Sequence, residues 1–212
     1  MRISKTRTKI NSIKPGSLHV TGPGGLSLEA FADWYRKESL IQWRNLDLRA
    51  IERLAEEIIE IEKSGRKIFV MGNGGSAATA SHWATDFSKT ARVEGRTLIQ
   101  CHSLSENVAY LTAIGNDFSF DDCFSLQLEN ILKADDLVIL ISGSGNSKNL
   151  IKACLYAKKQ KAFTVGILGF NGGNLKNLVD LPILVPSDQY GVIEDIHMAI
   201  GHILTFYLKQ RR

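Results

Sequence analysis

Two short runs rich in glycine and serine carry the most chemistry in this 212-residue chain. Gly72-Asn73-Gly74-Gly75-Ser76 follows an apolar run that ends at Met71. Ser142-Gly143-Ser144-Gly145-Asn146-Ser147 follows another that ends at Ile141. Glycine lets the backbone approach a ligand closely, and the free N–H groups at the start of a following helix face an anion. Three hydroxyls and several backbone N–H groups within six residues suit a phosphate monoester, and Ser147 also suits the N-cap of the next helix. Neither run ends in the Lys-Ser/Thr of a P-loop or has the spacing of a dinucleotide fingerprint, which argues against a nucleotide cofactor. One strand-to-glycine turn can be purely conformational. Two serine-bearing turns, both at the carboxyl ends of strands, mark the edge where open α/β sheets bind ligands.

The elements around these turns alternate. Runs rich in β-formers occur at Lys67–Met71, Thr97–Cys101, Leu137–Ile141, Phe163–Leu168 and Leu181–Val185. Helical stretches are expected at about 76–90, 103–114, 121–133 and 147–160, with a last amphipathic helix from about Val192 to Lys209. Upstream, Ser27 reads as an N-cap, a break is expected near Asn45 to Asp47, and Gly65 ends a second helix with Ile51, Leu54, Ala55, Ile58 and Ile61 on one stripe. Strands alternating with helices predict one doubly wound parallel α/β domain over 27–212. The long apolar segment from Ala30 to Ile61 exceeds what one small sheet can cover, which predicts packing between subunits.

Charge and composition narrow the function classes. The net charge is +4, but residues 1–28 alone carry +5 and no acid, leaving −1 for the rest. The basicity therefore belongs to a Pro- and Gly-punctuated lead-in, read as a flexible tail over 1–26. Without interleaved aromatics it is no nucleic-acid platform. The longest aliphatic run, Leu137 to Ile141, is far below the roughly 20 residues of a membrane span. With no apolar leader at the N-terminus, a cytoplasmic protein is expected. Cys101, Cys123 and Cys154 lack metal-ligand spacing and read as reduced, packed thiols.

Five motifs in order, Gly72 to Ala78, Ser81-His82, Gly115-Asn116-Asp117-Phe118, Ser142 to Ser147, and Glu194-Asp195-Ile196-His197 with His202, resemble the phosphoheptose isomerases. These are sugar-isomerase (SIS) domain enzymes that convert sedoheptulose 7-phosphate to glycero-manno-heptose 7-phosphate for lipopolysaccharide and related polysaccharides. The similarity covers about residues 27–210. It implies a three-layer flavodoxin-like fold, a five-stranded parallel sheet of order 2-1-3-4-5, and a homotetramer with active sites built between subunits. By position, the resemblance puts Asn73, Gly74, Gly75 and Ser76 on the sugar chain and Asn116 and Asp117 on its hydroxyls. It puts Ser142, Gly143, Ser144 and Ser147 on the phosphate, with Glu194 also toward the substrate. The family's metal and acid–base residues fall on His82, Asp86, Glu194 and His202.

Three positions depart from the family pattern: Asp86 stands for a usual Glu, Glu194 for a Gln, and Gly143 for a Thr. The shorter Asp86 sets its carboxylate back by about 1.5 Å. His82 and Asp86, at i and i+4, share a helix face and can ligate one ion. Two histidines and two carboxylates suit a divalent ion, zinc being the expectation. Glu194 and His202, eight residues apart, differ by about 12 Å along a straight helix. Either the helix unwinds at Tyr190-Gly191 or the two residues serve sites in different subunits. His102 and His197 are expected in structural roles.

An aldose–ketose isomerase needs a base for the carbon proton, an acid for the carbonyl oxygen and stabilisation of the enediolate. Asp86 is assigned as the base and His202 as the acid. Two rivals stand beside this reading. One is a non-catalytic SIS protein that senses sugar phosphates or scaffolds another protein. The other is an isomerase of a different sugar phosphate, such as arabinose 5-phosphate.

Overall fold

The Ser27 side chain accepts from the Ala30 amide (3.3 Å) and opens α1 (Leu28–Asn45) in the computed structural model, which describes residues 22–211. The tail read over 1–26 lies outside the described residues up to position 21. At the expected break, the Asp47 carboxylate accepts from the Arg49 and Ala50 amides and starts α2 (Leu48–Ser64). Gly65 closes α2 in the left-handed conformation (φ 65°) that favours glycine.

Beyond it run β1 (Lys67–Gly72), α3 (Gly75–Thr85), β2 (Gln100–Ser103), α4 (Val108–Asp117), α5 (Ser125–Ile131), β3 (Leu137–Ser142), α6 (Lys148–Lys159), β4 (Phe163–Gly169), β5 (Leu181–Val185) and α7 (Tyr190–Gln210). All strand pairs are parallel, in the order β2-β1-β3-β4-β5. β1 and β3 are therefore neighbours, with Gly72 opposite Ile141, and both glycine–serine turns leave the same edge. That edge is the topological switch point.

Helices cover both faces of the sheet. Leu54 and Ile58 of α2, Trp83 of α3, and Ile196, Ile200 and Leu204 of α7 pack with Ile68, Val70 and Ile139 on one side. Phe124, Leu128, Leu150, Ala153 and Cys154 pack with Phe69, Met71, Val138 and Leu140 on the other. All three cysteines are buried free thiols. No helix among the described residues is long and apolar enough to cross a membrane.

Four expectations need correction. The second strand runs over Gln100–Ser103 rather than 97–101, because its pairing with β1 begins at Lys67 opposite Gln100 and Leu98 stays exposed. The next helix starts at Val108, not 103, where the Asn107 side chain accepts from the Tyr110 amide. The helix expected over 121–133 is only the short α5, preceded by a 3₁₀ turn at Phe120–Asp122. The stretch read as one helix over 76–90 changes character at Asp86: residues Asp86–Thr90 form a π turn, in which the Ala91 amide donates to the Asp86 carbonyl. Such insertions occur disproportionately at functional sites.

The apolar stripe of α2 is buried within the chain, so the exposed character expected of the Ala30–Ile61 segment is kept by α1 and by Leu48 at the start of α2. Leu28, Leu40 and Ile41 of α1 stand in solvent, as do Ile203, Phe206 and Tyr207 of α7.

Candidate active site

The turn after β3 is tightly constrained. Gly145 has φ 66°, and a Cβ there would lie 2.0 Å from the Gly172 carbonyl oxygen, so both conformation and space require glycine. The buried Ser142 Oγ accepts from the Gly145 amide (3.0 Å) and Ser144 Oγ from the Asn146 amide (3.2 Å). Each hydroxyl keeps its own proton for a ligand. Ser147 occupies the N-cap position of α6, but its side chain makes no capping bond, which leaves that hydroxyl uncommitted.

The turn after β1 sits against it. Gly74 has φ 56° and ψ −123°, a region open to glycine, and α3 begins at Gly75. Asn73 and Asn149 exchange amide hydrogen bonds (3.0 and 2.9 Å), tying the first turn to α6. Between the turns lies a cavity of about 130 Å³ lined by Asn73, Ser76, Ile141, Ser142, Gly143, Ser144, Ser147, Tyr190 and Glu194. At about 30 Å³ per liquid water this accommodates a phosphate group, while the rest of a sugar must extend outward. A larger cleft, about 570 Å³, opens at the opposite edge of the sheet among Arg53, Glu57, Asp135, Lys158, Lys161 and Asp180. Its charges answer one another, as in the Lys158–Asp180 pair, and no metal-ligand cluster among the described residues borders it.

Further along α3 a second feature forms. His82 Nε2 lies 3.3 Å from Asp86 Oδ2 and 2.9 Å from His202 Nε2, and His202 Nε2 lies 3.9 Å from the same carboxylate oxygen. Zinc ligands at about 2.0–2.2 Å in a tetrahedron stand roughly 3.4 Å apart. The three observed separations straddle that value, so the donor set fits a divalent ion. The Thr90 hydroxyl donates to Asp86 Oδ1 (2.9 Å), orienting the carboxylate in the way an outer-shell partner does. Despite the missing methylene, Asp86 reaches the pair of imidazoles. Both imidazoles are about half exposed, which leaves ligand access.

α7 brings His202 to this cluster because it packs closely on α3. A Cβ on Gly201 would lie 2.1 Å from Nε1 of the buried Trp83, so only glycine admits the contact. α7 is also tied to α1, since the Tyr35 hydroxyl donates to Asp195 Oδ2 (2.7 Å). Burial and that carboxylate push the Tyr35 phenol above its usual range.

Glu194 does not join the cluster within the chain. α7 is one helix from Tyr190 onward, so the unwinding at Tyr190-Gly191 does not occur. Glu194 stands about 12 Å from His202 along it, with its carboxylate against Gly75, where a Cβ would meet Oε1 at 2.4 Å. Burial, with the neighbouring Asp195 charge, raises the Glu194 carboxyl above its usual range. Asn116 and Asp117, at the end of α4, bond to each other (2.8 Å), stand exposed and do not line the cavity. His197 is fully buried, and burial lowers it to about 4, in keeping with a structural role. Tyr190 and Asn149 are the site residues that sequence reasoning passed over. For Tyr190 the available signal was an aromatic just past the carboxyl end of the fifth strand.

Comparison with known proteins follows the same lines. The SIS domain family matches residues 34–169. The phosphoheptose isomerase of Trichlorobacter lovleyi is 40% identical over 173 residues, covering 81% of this chain and 88% of the relative. The structure of the phosphoheptose isomerase from Neisseria gonorrhoeae superposes with a TM-score of 0.80 at 27% identity, covering 87% of this chain and 100% of the other. That of the Francisella tularensis phosphoheptose isomerase gives 0.79 at 27% identity, covering 86% and 96%. With a family match over residues 34–169 and this similarity across most of its length, the chain belongs to the SIS-domain phosphoheptose isomerase family.

Proposed function

We propose that the protein isomerises sedoheptulose 7-phosphate to glycero-manno-heptose 7-phosphate through an enediol, in the cytoplasm, as a homotetramer with a divalent ion of the zinc type. The observation that carries this reading is the convergence of His82, Asp86 and His202 in a chain whose β1 and β3 turns frame a phosphate-sized cavity. A sensor or scaffold needs the cavity but has no use for the cluster.

In this mechanism the Ser142–Ser147 turn holds the phosphate. Binding energy there is remote from the reacting carbons and serves to position them. Asn73, Gly74, Gly75, Ser76 and Glu194 meet the sugar chain, with Asn116 and Asp117 on its hydroxyls. Asp86 removes a proton from C1 of the ketose and returns one to C2, while His202 supplies and recovers the proton at the oxygens. His82, Asp86 and His202 would hold the ion, which when bound supplies Lewis-acid stabilisation of charge on the substrate oxygens.

Glu194 of a second subunit would complete the ligand set. With α7 continuous, the Glu194 and His202 of one chain cannot share an ion, and the family's sites between subunits remove the difficulty. The exposed apolar residues of α1 and α7, with Phe118 and Phe120 just beyond Asp117, supply surface for such an assembly. Assaying conversion of sedoheptulose 7-phosphate with and without a chelator tests the reading. Activity should vanish on chelation and return with zinc. Full activity in the metal-free protein would remove the ion from the account.

A further inference from the structure

The cavity has one wall that the motif resemblance does not account for. At Gly143 the phosphate turn carries no side chain, and the space is not empty. A Cβ there would lie 2.8 Å from Cε1 and 3.1 Å from Cδ1 of Tyr190, the first residue of α7. The ring is held from behind by Phe170, edge to face at 5.0 Å between centroids and 69° between planes. Phe170 itself adopts φ 48°, unusual for an aromatic residue, and its amide donates to the Ser187 carbonyl (3.1 Å). The Gly169 amide before it donates to the Gly143 carbonyl (3.0 Å), which ties the end of β4 to the phosphate turn. Uncommon backbone conformations of this kind persist where surrounding structure fixes them, and they cluster at ligand sites.

The donor inventory gives the ring a role. Ser142, Ser144 and Ser147 line the floor formed by the β3 turn and are its hydroxyl-bearing side chains. A phosphate dianion offers acceptors on several sides, so donors from the floor alone leave oxygens unmatched. Glu194, on the facing α7 wall, is an acceptor when ionised and repels a dianion. Tyr190 lines the same wall, and its hydroxyl makes no hydrogen bond among the described residues.

We infer that Tyr190 is a substrate-reading residue of this cavity: its ring fills the volume a side chain at 143 would take, and its hydroxyl donates to the substrate phosphate. The inference rests on the reading of the cavity as the phosphate site. It also makes positions 143 and 190 interdependent, because a hydroxyl-bearing side chain at 143 and an aromatic ring at 190 compete for one space.

Calorimetric titration with sedoheptulose 7-phosphate and with inorganic phosphate tests it, alongside steady-state turnover. Tyr190→Phe removes a single oxygen and should weaken both ligands by a similar factor, about 10- to 100-fold, as expected for a hydrogen bond to a charged group. KM should rise accordingly while kcat stays within about twofold. Gly143→Thr should weaken both ligands by at least about tenfold, and Gly143→Thr with Tyr190→Ala should bind tighter than either single variant. Tyr190→Phe that binds both ligands like wild type overturns the inference, as does Gly143→Thr that binds normally with Tyr190 intact. A loss confined to the sugar phosphate overturns the assignment to phosphate. Wild-type protein that binds neither ligand overturns the cavity reading along with it, which separates the two failures.

Discussion

Replacing Gly201 by alanine sets two known effects against each other, and the structure decides the sign. Gly201 lies inside α7, where an alanine should stabilise the helix by about 1 kcal/mol on propensity alone. Its Cβ, however, would stand 2.1 Å from Nε1, 2.5 Å from Cδ1 and 2.6 Å from Cε2 of Trp83, a fully buried indole. Reaching an ordinary contact of about 3.5 Å requires a displacement of roughly 1.4 Å. Trp83 cannot absorb it by a rotamer change, since it packs on Phe87 (centroids 5.6 Å apart) within a closed core. Overpacking costs about 1–3 kcal/mol, and a rigid ring on the receiving side puts this case near the top of that range. The net expectation is a loss of about 2 kcal/mol, a factor of roughly 30 in the folding equilibrium.

The same displacement has a second reading. Gly201 precedes His202, whose Nε2 lies 2.9 Å from that of His82. Metal sites tolerate only about ±0.2 Å in ligand distance, so zinc affinity should fall well beyond what the loss of stability explains. Urea unfolding followed by circular dichroism, with calorimetric zinc titration of the folded variant, measures both. Adding Trp83→Phe, which frees the occupied space, should recover part of each. A Gly201→Ala protein at least as stable as wild type, with unchanged zinc affinity, would refute this account of how α3 and α7 position the cluster.

Other expectations are more direct. Asp86→Asn keeps the shape of the side chain but removes its basicity, so kcat should fall about 10²- to 10⁴-fold with substrate affinity little changed; an active variant would sink Asp86 as the base. If the phosphate cavity and the cluster of one site come from different subunits, mixing inactive Ser144→Ala/Ser147→Ala protein with inactive Asp86→Asn protein should restore about a quarter of wild-type activity after subunit exchange. No recovery in demonstrated mixed tetramers would place each site within one chain. Burial holds His197 at about 4, below the ordinary 6.5 of an unfolded chain. The unfolded state therefore binds a proton that the folded state refuses, and stability should be lost as pH falls from 6.5 toward about 4, by about 3 kcal/mol in total. Urea midpoints across that range should show the loss in wild type and not in His197→Asn, and parallel slopes for the two proteins would contradict it.

Much of the scaffold was legible because it follows from local rules. Ser27 and Gly65 announce their caps, a break is readable near Asn45 to Asp47, and the alternation of β-rich and helical runs dictates a parallel sheet. The second strand slipped by three residues because Thr97, Leu98 and Ile99 have strand-forming side chains but no partner opposite them; pairing is a property of two segments. The π turn at Asp86–Thr90 carries no glycine or proline to mark it. It follows from how the end of α3 packs on α7 and β2, which no single window of sequence contains.

The site was legible in proportion to how far each residue acts through its own neighbours in the chain. The two glycine–serine turns are local and can be read directly. His82 and Asp86 share one helix face, and the arithmetic of a 1.5 Å rise already separates Glu194 from His202. The Tyr190 ring over Gly143 and the Asn73–Asn149 pair join segments 47 and 76 residues apart. Their partnership exists only once the sheet has brought those segments together.

Sedoheptulose 7-phosphate incubated with the zinc-loaded protein in D₂O, and followed by NMR, tests the central claim most directly. An enediol pathway through Asp86 predicts a heptose 7-phosphate aldose carrying deuterium at C2, with exchange at C1 of the residual ketose, and neither signal in Asp86→Asn. Tight binding of the sugar phosphate with no aldose and no exchange at either carbon would contradict it, and the chain would then bind its ligand without turning it over.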